Sequence, residues 1–387
     1  MSTLLPYIPE AITVHLGPPD SGAPNVTVPF IDYVKNVASS EIYPTWEVSA
    51  LRANILAIVS FALNRIYLDH YRSRGYDFDI TSTTAFDQRF VNGRSTFDSI
   101  DYQVEDLFDD YIRRVGFLEP LAAKFCNGTT VTCDGLSQWG SQALAQQGYD
   151  SMQILRAYYG DDIEIVQNVP SRALAPSYPG RALRLGDVGR DVARVQFALD
   201  RVSRNYPAIP RIGAVDGIFT EATEESVRAF QQVFSLAVDG IVGPATWYEL
   251  RRLFVAVARL SELRSEGIRL DILEWEYPEI LQEGDRGVRV EQLQFMLEVL
   301  AQFVEELPAL AIDGIFGPRT QGAVLAFQQW AGLERTGQVG DVTWNRLYEE
   351  YEGVRDVLIS RGELPAVPGQ FPGTDLTPGS RDGEVSQ

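Results

Sequence analysis

One acid in the chain stands in a setting suited to sugar chemistry. Glu41 lies between two helical patterns, in Ser39-Ser-Glu-Ile-Tyr-Pro-Thr-Trp46, close to Tyr43, Pro44 and Trp46. Aromatic faces stack on sugar rings, and apolar bulk beside a carboxyl group disfavours its charged form. An acid that stays protonated near neutral pH can serve as a general acid at a glycosidic oxygen. A second segment, Gly135-Leu-Ser-Gln-Trp-Gly140, offers a hydroxyl, an amide and an indole at Ser137, Gln138 and Trp139. Each segment also has a structural reading: Glu41 as a helix-end charge, Ser137 as an N-cap and Trp139 as core.

Cys126 and Cys133 flank Asn127-Gly128, a hairpin signal whose two ends one bridge could join. Free thiols and a zinc site remain alternatives, although His15 and His70 are far upstream. No metal site and no cofactor is expected. His70, beside Asp69 and Tyr71 at the end of a helical pattern, reads as a surface histidine facing the helix C-terminal dipole. Asp106, Asp109 and Asp110, among Val104, Leu107, Phe108, Tyr111 and Ile112, read as the solvated side of an amphipathic helix.

These residues need elements to hold them. Leu51, Ile55, Ile58, Val59, Ala62, Leu63 and Ile66 follow helical spacing and predict a long helix over 45–74. Thr45 is placed to cap it, Glu47 faces its dipole favourably, and Gly75 ends it. A shorter helix is predicted over 31–38. Ser137 should cap a helix ending at Gly148, and Asp150 the next one.

Beyond a Pro/Ser/Ala stretch the chain repeats itself. Leu183-Arg-Leu-Gly-Asp-Val-Gly-Arg-Asp-Val192 matches Leu281-Gln-Glu-Gly-Asp-Arg-Gly-Val-Arg-Val290, and Gln196 and Leu199 match Gln294 and Leu297. Val215-Asp-Gly-Ile-Phe219 matches Ile312-Asp-Gly-Ile-Phe316, and Ala229-Phe-Gln-Gln232 matches Ala326-Phe-Gln-Gln329. Asp-Gly pairs followed by a Thr (Asp216/Thr223, Asp239/Thr246, Asp313/Thr320, and Gly337 with Thr343 as a degenerate case) predict a tight turn and then a helix start. Pro244 and Pro318 suit first helical turns. Each copy is therefore expected to be a small bundle of about three helices.

The expected fold class is a helix-rich α+β N-terminal domain followed by two all-α three-helix modules. The boundaries read as a lead-in at 1–25, the N-terminal domain at 26–167 and a linker at 168–182. The first module covers 183–260, a connector 261–280 and the second module 281–352. The Pro/Gly/Asp/Ser-rich tail at 364–387 is expected to be disordered. Lys and Arg total 33 against 53 Asp and Glu, a net charge of −20. That balance argues against nucleic acid and anionic membrane as partners. The longest apolar run, 55–63, is about half of a membrane span. The N-terminus shows no secretory signal.

The repeat resembles the peptidoglycan-binding module of cell-wall hydrolases over 183–250 and 281–347. Thr220 stands where that family usually has Gly, and Asp341 where it has Pro. Its shared Asp, Gly, Phe and Thr residues read first as scaffold. In the N-terminal part, Val37-Ala-Ser-Ser-Glu41, Ala50-Leu-Arg-Ala-Asn54, Gly135-Leu-Ser-Gln-Trp-Gly140 and Tyr158-Tyr-Gly160 look like the SpoIID family of peptidoglycan lytic transglycosylases. With the tandem modules, the chain is similar to SleC-like spore cortex-lytic proteins.

The resemblance implies that Glu41 is the catalytic acid. It would protonate the oxygen between MurNAc and GlcNAc, then assist the C6 hydroxyl in forming a 1,6-anhydro product. It also implies sugar-holding roles for Ser137 and Gln138. Tyr43, Trp46 and Trp139 join them as substrate-binding candidates on their chemistry. Ala57-Ile-Val-Ser-Phe61 replaces the family's Ala-Ala-Arg-Thr-Tyr, so the role of that Arg is not carried over. The implied partners are peptidoglycan glycan strands, an amidase and an activating protease. The implied location is the cell wall or spore cortex, in germination or sporulation. Two rival readings stand beside this one: a non-catalytic peptidoglycan-binding amidase enhancer, and a water-using muramidase in which an acid such as Asp134 partners Glu41.

Overall fold

The computed structural model describes residues 6–213, 215–265, 267 and 280–361. The expected disordered tail at 364–387 and most of the connector at 261–280 lie outside the described residues. The chain divides into two compact units, Met1–Pro179 with Trp247–Glu276, and Gly180–Thr246 with Tyr277–Gln387.

The first unit is built around a helix buried on nearly all sides. Its elements are β1 (Ile8–Pro9), β2 (Ala11–His15), β3 (Asn25–Pro29), α1 (Phe30–Glu41), α2 (Val48–Tyr67), β4 (Ile80–Thr81) and α3 (Asp98–Glu105). There follow β5 (Tyr111–Arg114), β6 (Phe125–Cys126), β7 (Leu136–Ser137), α4 (Gln138–Gln146), α5 (Ser151–Tyr159), β8 (Ile163–Val166) and β9 (Ser171–Arg172). The strands are short. β2 pairs antiparallel with β3, Ile12 opposite Val28, and parallel with β4, Val14 opposite Ile80. β5 pairs antiparallel with β8, and β6 parallel with β7.

The stretch Val48–Arg74 is long and apolar enough to cross a membrane, and 89% of its most apolar window is buried inside the unit. A helix apolar all round must be covered by protein or lipid. Here its few polar side chains tie neighbours to it. Asn54 donates to Ser141 Oγ at 2.8 Å, which fixes α4. Ser60 Oγ accepts the Ile112 N–H at 2.8 Å, which fixes β5.

Several local expectations change. α2 begins at Val48, with Glu47 in the N-cap position and no side-chain cap. Thr45 falls instead in the turn that the Trp46 N–H closes on the Tyr43 carbonyl. The helix stops at Tyr67 because Asp69 takes a left-handed φ of 51°. A separate short turn, Arg72–Arg74, precedes Gly75.

α1 runs to Glu41, beyond the predicted 38. The acidic stretch is not one helix: α3 ends at Glu105, and the aromatic and β-branched pair Tyr111-Ile112 begins β5. Asp110 is buried and accepts the Asn168 N–H at 3.0 Å. His70 is half-buried between Arg65 and Arg74, whose guanidinium nitrogens lie 3.3 and 2.9 Å from its ring nitrogens. Burial and these two cations push its pKa down to about 2. It is a neutral acceptor and not a charged helix-end histidine.

The second unit is all helical among its described elements. α6 (Arg190–Ser203) and α7 (Glu221–Val233) belong to the first repeat; α9 (Val288–Ala301), α10 (Pro318–Trp330) and α11 (Asp341–Arg361) belong to the second. The division between units falls within α8 (Pro244–Val257).

One device recurs four times. A buried Gln on a helix clamps the following turn. The Gln196 amide donates to Asp216 Oδ1, the Ile218 carbonyl and Thr223 Oγ1, and its oxygen accepts the Gly217 N–H. Gln231, Gln294 and Gln328 repeat the pattern on the turns at Gly240, Gly314 and Gly337. These buried groups satisfy one another, which gives the Asp-Gly-Thr repeat its scaffold role.

Val188 and Ile218 of the first repeat enter the core of the second, where they join Leu293, Phe316, Phe327 and Leu358. α11 continues past 352 and lays Arg355 on the buried Asp187 carboxylate at 2.5 Å. The Tyr351 hydroxyl donates to the Gly186 carbonyl.

Candidate functional site

The end of α1 and the start of α4 bring the two chemical segments together. Glu41 is the last residue of α1, and Gln138 the first of α4. The Gln138 amide donates to Glu41 Oε2 at 3.2 Å, and the Arg89 N–H donates to Glu41 Oε1 at 2.9 Å. Both carboxylate oxygens are therefore in use as acceptors.

The Arg89 loop is pinned from three sides. Asn36 exchanges two hydrogen bonds with the Val91 backbone, at 2.8 and 2.9 Å. Gln88 accepts from the buried Tyr33 hydroxyl at 2.8 Å. Asp87 pairs with Arg65 at 2.8 Å.

An aromatic cluster flanks the carboxylate. Tyr43, Trp46 and Trp139 meet pairwise, with ring centroids 5.1–5.7 Å apart. Trp46 is 8% exposed and acts as the base of the cluster; Tyr43 is 55% and Trp139 40% exposed. The core reading of Trp139 is therefore replaced by a half-open face. Partly open rings, packed at tilted and edge-on angles beside a carboxylate and an amide, can hold a sugar by its faces and its hydroxyls.

The N-terminus of α4 is tightly built. Ser137 Oγ caps the helix by accepting the Gly140 N–H at 3.0 Å. A Cβ on Gly128 would lie 1.8 Å from Ser137 Oγ, and one on Gly140 2.0 Å from the Tyr158 hydroxyl. Asp150 caps α5 in a reciprocal box with Gln153. Cys126 and Cys133 form a disulfide. The loop it closes rests on α4, since the Trp139 N–H donates to the Asn127 carbonyl. Asp134 is exposed beside this loop.

Sequence reasoning missed the Arg89 N–H and the supports of α4. Gln142 accepts the Glu47 N–H at 2.9 Å, and Ser141 Oγ donates to the Gln138 carbonyl at 2.6 Å. Gln142 lies one helical turn after Gln138, the available signal that both serve one face. Among the described residues no group of three or more His, Cys, Asp or Glu could hold a metal ion.

Comparison with known proteins identifies two regions, 188–250 and 286–347, as copies of a putative peptidoglycan-binding domain. The chain is 30% identical over 175 residues to the N-acetylmuramoyl-L-alanine amidase CwlL of Bacillus licheniformis, covering 43% of this chain and 45% of that protein. It is 29% identical over 174 residues to the N-acetylmuramoyl-L-alanine amidase CwlM of Mycobacterium tuberculosis, covering 44% and 38%. It is 42% identical over 69 residues to the zinc D-Ala-D-Ala carboxypeptidase of Streptomyces albus G, covering 18% and 26%. The chain thus spans less than half the length of each of these relatives. No solved structure matches it.

Two regions of the chain thus match a putative peptidoglycan-binding domain, and the relatives that match it include cell-wall amidases. The expected lytic transglycosylase activity is corrected by these findings: relatives from two genera are amidases by name, not enzymes that cut the glycan strand. The physical reason is that a lone acid among aromatic rings is not specific to acid catalysis. The same group serves equally as an acceptor in a binding surface.

Proposed function

We propose that this chain is a cell-wall protein that binds peptidoglycan and enhances its cleavage by an N-acetylmuramoyl-L-alanine amidase without cutting the glycan strand itself. The tandem would hold the chain on the polymer, where two weak sites on one molecule raise retention through effective concentration. The N-terminal groove would hold a glycan strand, with Tyr43 and Trp139 against the sugar faces. Glu41 and Gln138 would accept and donate hydrogen bonds, over the Trp46 base. Ser137 would keep the start of α4 in place. The N-terminal segments that resemble the SpoIID family fit this reading, since that family includes amidase-enhancing proteins.

The observation that carries the proposal is the open Tyr43–Trp46–Trp139 cluster around an acceptor carboxylate, in a chain whose tandem matches peptidoglycan-binding domains. The test is pelleting with purified sacculi, together with amidase release of stem peptide. Tyr43→Ala with Trp139→Ala should leave pelleting nearly intact and remove most of the stimulation. Full stimulation by that variant would remove the groove from the account.

A further inference from the structure

The second unit contains a cavity that neither repeat forms alone. It is a half-open cleft of about 210 Å³, on the scale of one sugar ring. One wall comes from the end of the linker and the first repeat, with Arg181, Arg190 and Asp191; the other comes from the start of α11, with Trp344, Asn345 and Tyr348. The walls are fixed. Arg181 donates to Asp187 Oδ1 at 2.9 Å and to the Tyr348 hydroxyl at 2.7 Å, and Arg355 reaches the same Asp187 oxygen at 2.5 Å.

The two repeats differ at the positions that make this cavity. Trp247 and Arg251 hold the places of Trp344 and Tyr348 in the first repeat. Trp247 is 2% exposed and donates to Ser177 at 3.0 Å, and Arg251 pairs with Asp69 at 3.0 Å. Trp344 and Tyr348 are half-buried, and Asn345 is exposed. Arg190 and Asp191 of the first repeat become Val288 and Arg289 in the second. Among the described residues the corresponding positions of the other repeat therefore do not carry the same lining.

We propose that this inter-repeat cavity is a glycan subsite for one N-acetylhexosamine residue. The proposal rests on the peptidoglycan-binding reading given above. Trp344 supplies a ring face, and Tyr348, with the Arg181 guanidinium 6.0 Å over its ring, closes the wall beside it. Arg190, Asp191 and Asn345 supply the mixture of donors and acceptors that hydroxyl and acetamido groups require. Arg181 is paired with Asp187, so Arg190 and Asp191 leave the lining close to neutral, which favours a neutral polyol over an acidic peptide.

The test is titration of the full chain with chitotriose, read by calorimetry and by the indole resonance of Trp344, alongside pelleting with sacculi. Trp344→Ala should weaken chitotriose about tenfold, and Asn345→Ala, an exposed change that spares the core, a few-fold. Sacculus retention should fall in both. A stem peptide that moved the Trp344 resonance where chitotriose did not would overturn the glycan assignment. Retention unaffected by both variants would overturn the subsite and leave the wider reading standing. A wild-type chain that fails to pellet would sink both.

Discussion

At the scale of single residues, the site depends on groups with no freedom to shift. Gly135 opens the segment that delivers Gln138, and a Cβ there would lie 2.2 Å from the Lys124 carbonyl oxygen. That oxygen already accepts the Leu136 N–H. Gly135→Ala should cost about 1–3 kcal/mol in urea unfolding, the usual range for overpacking against backbone. A neutral result would mean that this turn is looser than it is drawn.

His70 makes a pH prediction. Its folded pKa is lowered from 6.5 to about 2, so the unfolded chain takes up a proton that the folded chain refuses. The stability tied to it is complete above pH 6.5 and is lost as the pH falls toward the folded value. His70→Gln keeps an acceptor between the two arginines and removes the titration. The stability of the wild type relative to that variant should drop by about 2 kcal/mol between pH 7 and pH 5. An unchanged difference would place His70 in solvent.

At the scale of elements, local signals were legible and long-range ones were not. The caps Ser137 and Asp150, and the Asp-Gly-Thr turns, depend on neighbours in sequence, and they stand where spacing puts them. The paired repeats were visible as text, and the Gln clamps explain why Gln196 and Gln294 recur with them. The break after Tyr67 and the conversion of 111–112 into a strand were invisible, because they are set by packing against distant residues. Proximity of Glu41 to Gln138 followed from neither segment alone. It arises because Asn54 on α2 holds Ser141 of α4.

The bridged loop can be tested at this scale. Joint replacement Cys126→Ser and Cys133→Ser removes a staple spanning seven positions and should cost about 2 kcal/mol. Stimulation of the amidase should fall as well, because the Asn127 carbonyl no longer steadies Trp139. Unchanged stability and stimulation would make the bridge incidental.

At the scale of the whole molecule, the two repeats are joined where Val188 and Ile218 enter the core of the second repeat, and by a buried ion pair. Asp187 and Arg355 are 1% and 7% exposed at their side chains. Arg355→Gln leaves the buried Asp187 carboxylate with only the half-exposed Arg181 as its cation, so it should destabilise the second unit by about 2 kcal/mol. Urea unfolding followed by Trp344 fluorescence measures this, and a loss below about 1 kcal/mol would show that the pair is not buried in solution.

The central claim is an assisted amide cleavage with intact glycan strands. Its most direct test is mass spectrometry of sacculi treated with the chain alone, an N-acetylmuramoyl-L-alanine amidase alone, and both together. The account predicts no products from the chain alone and a clear rise in free stem peptide when both are present. Shortened glycan strands from the chain alone, or no rise in stem peptide with both, would contradict it.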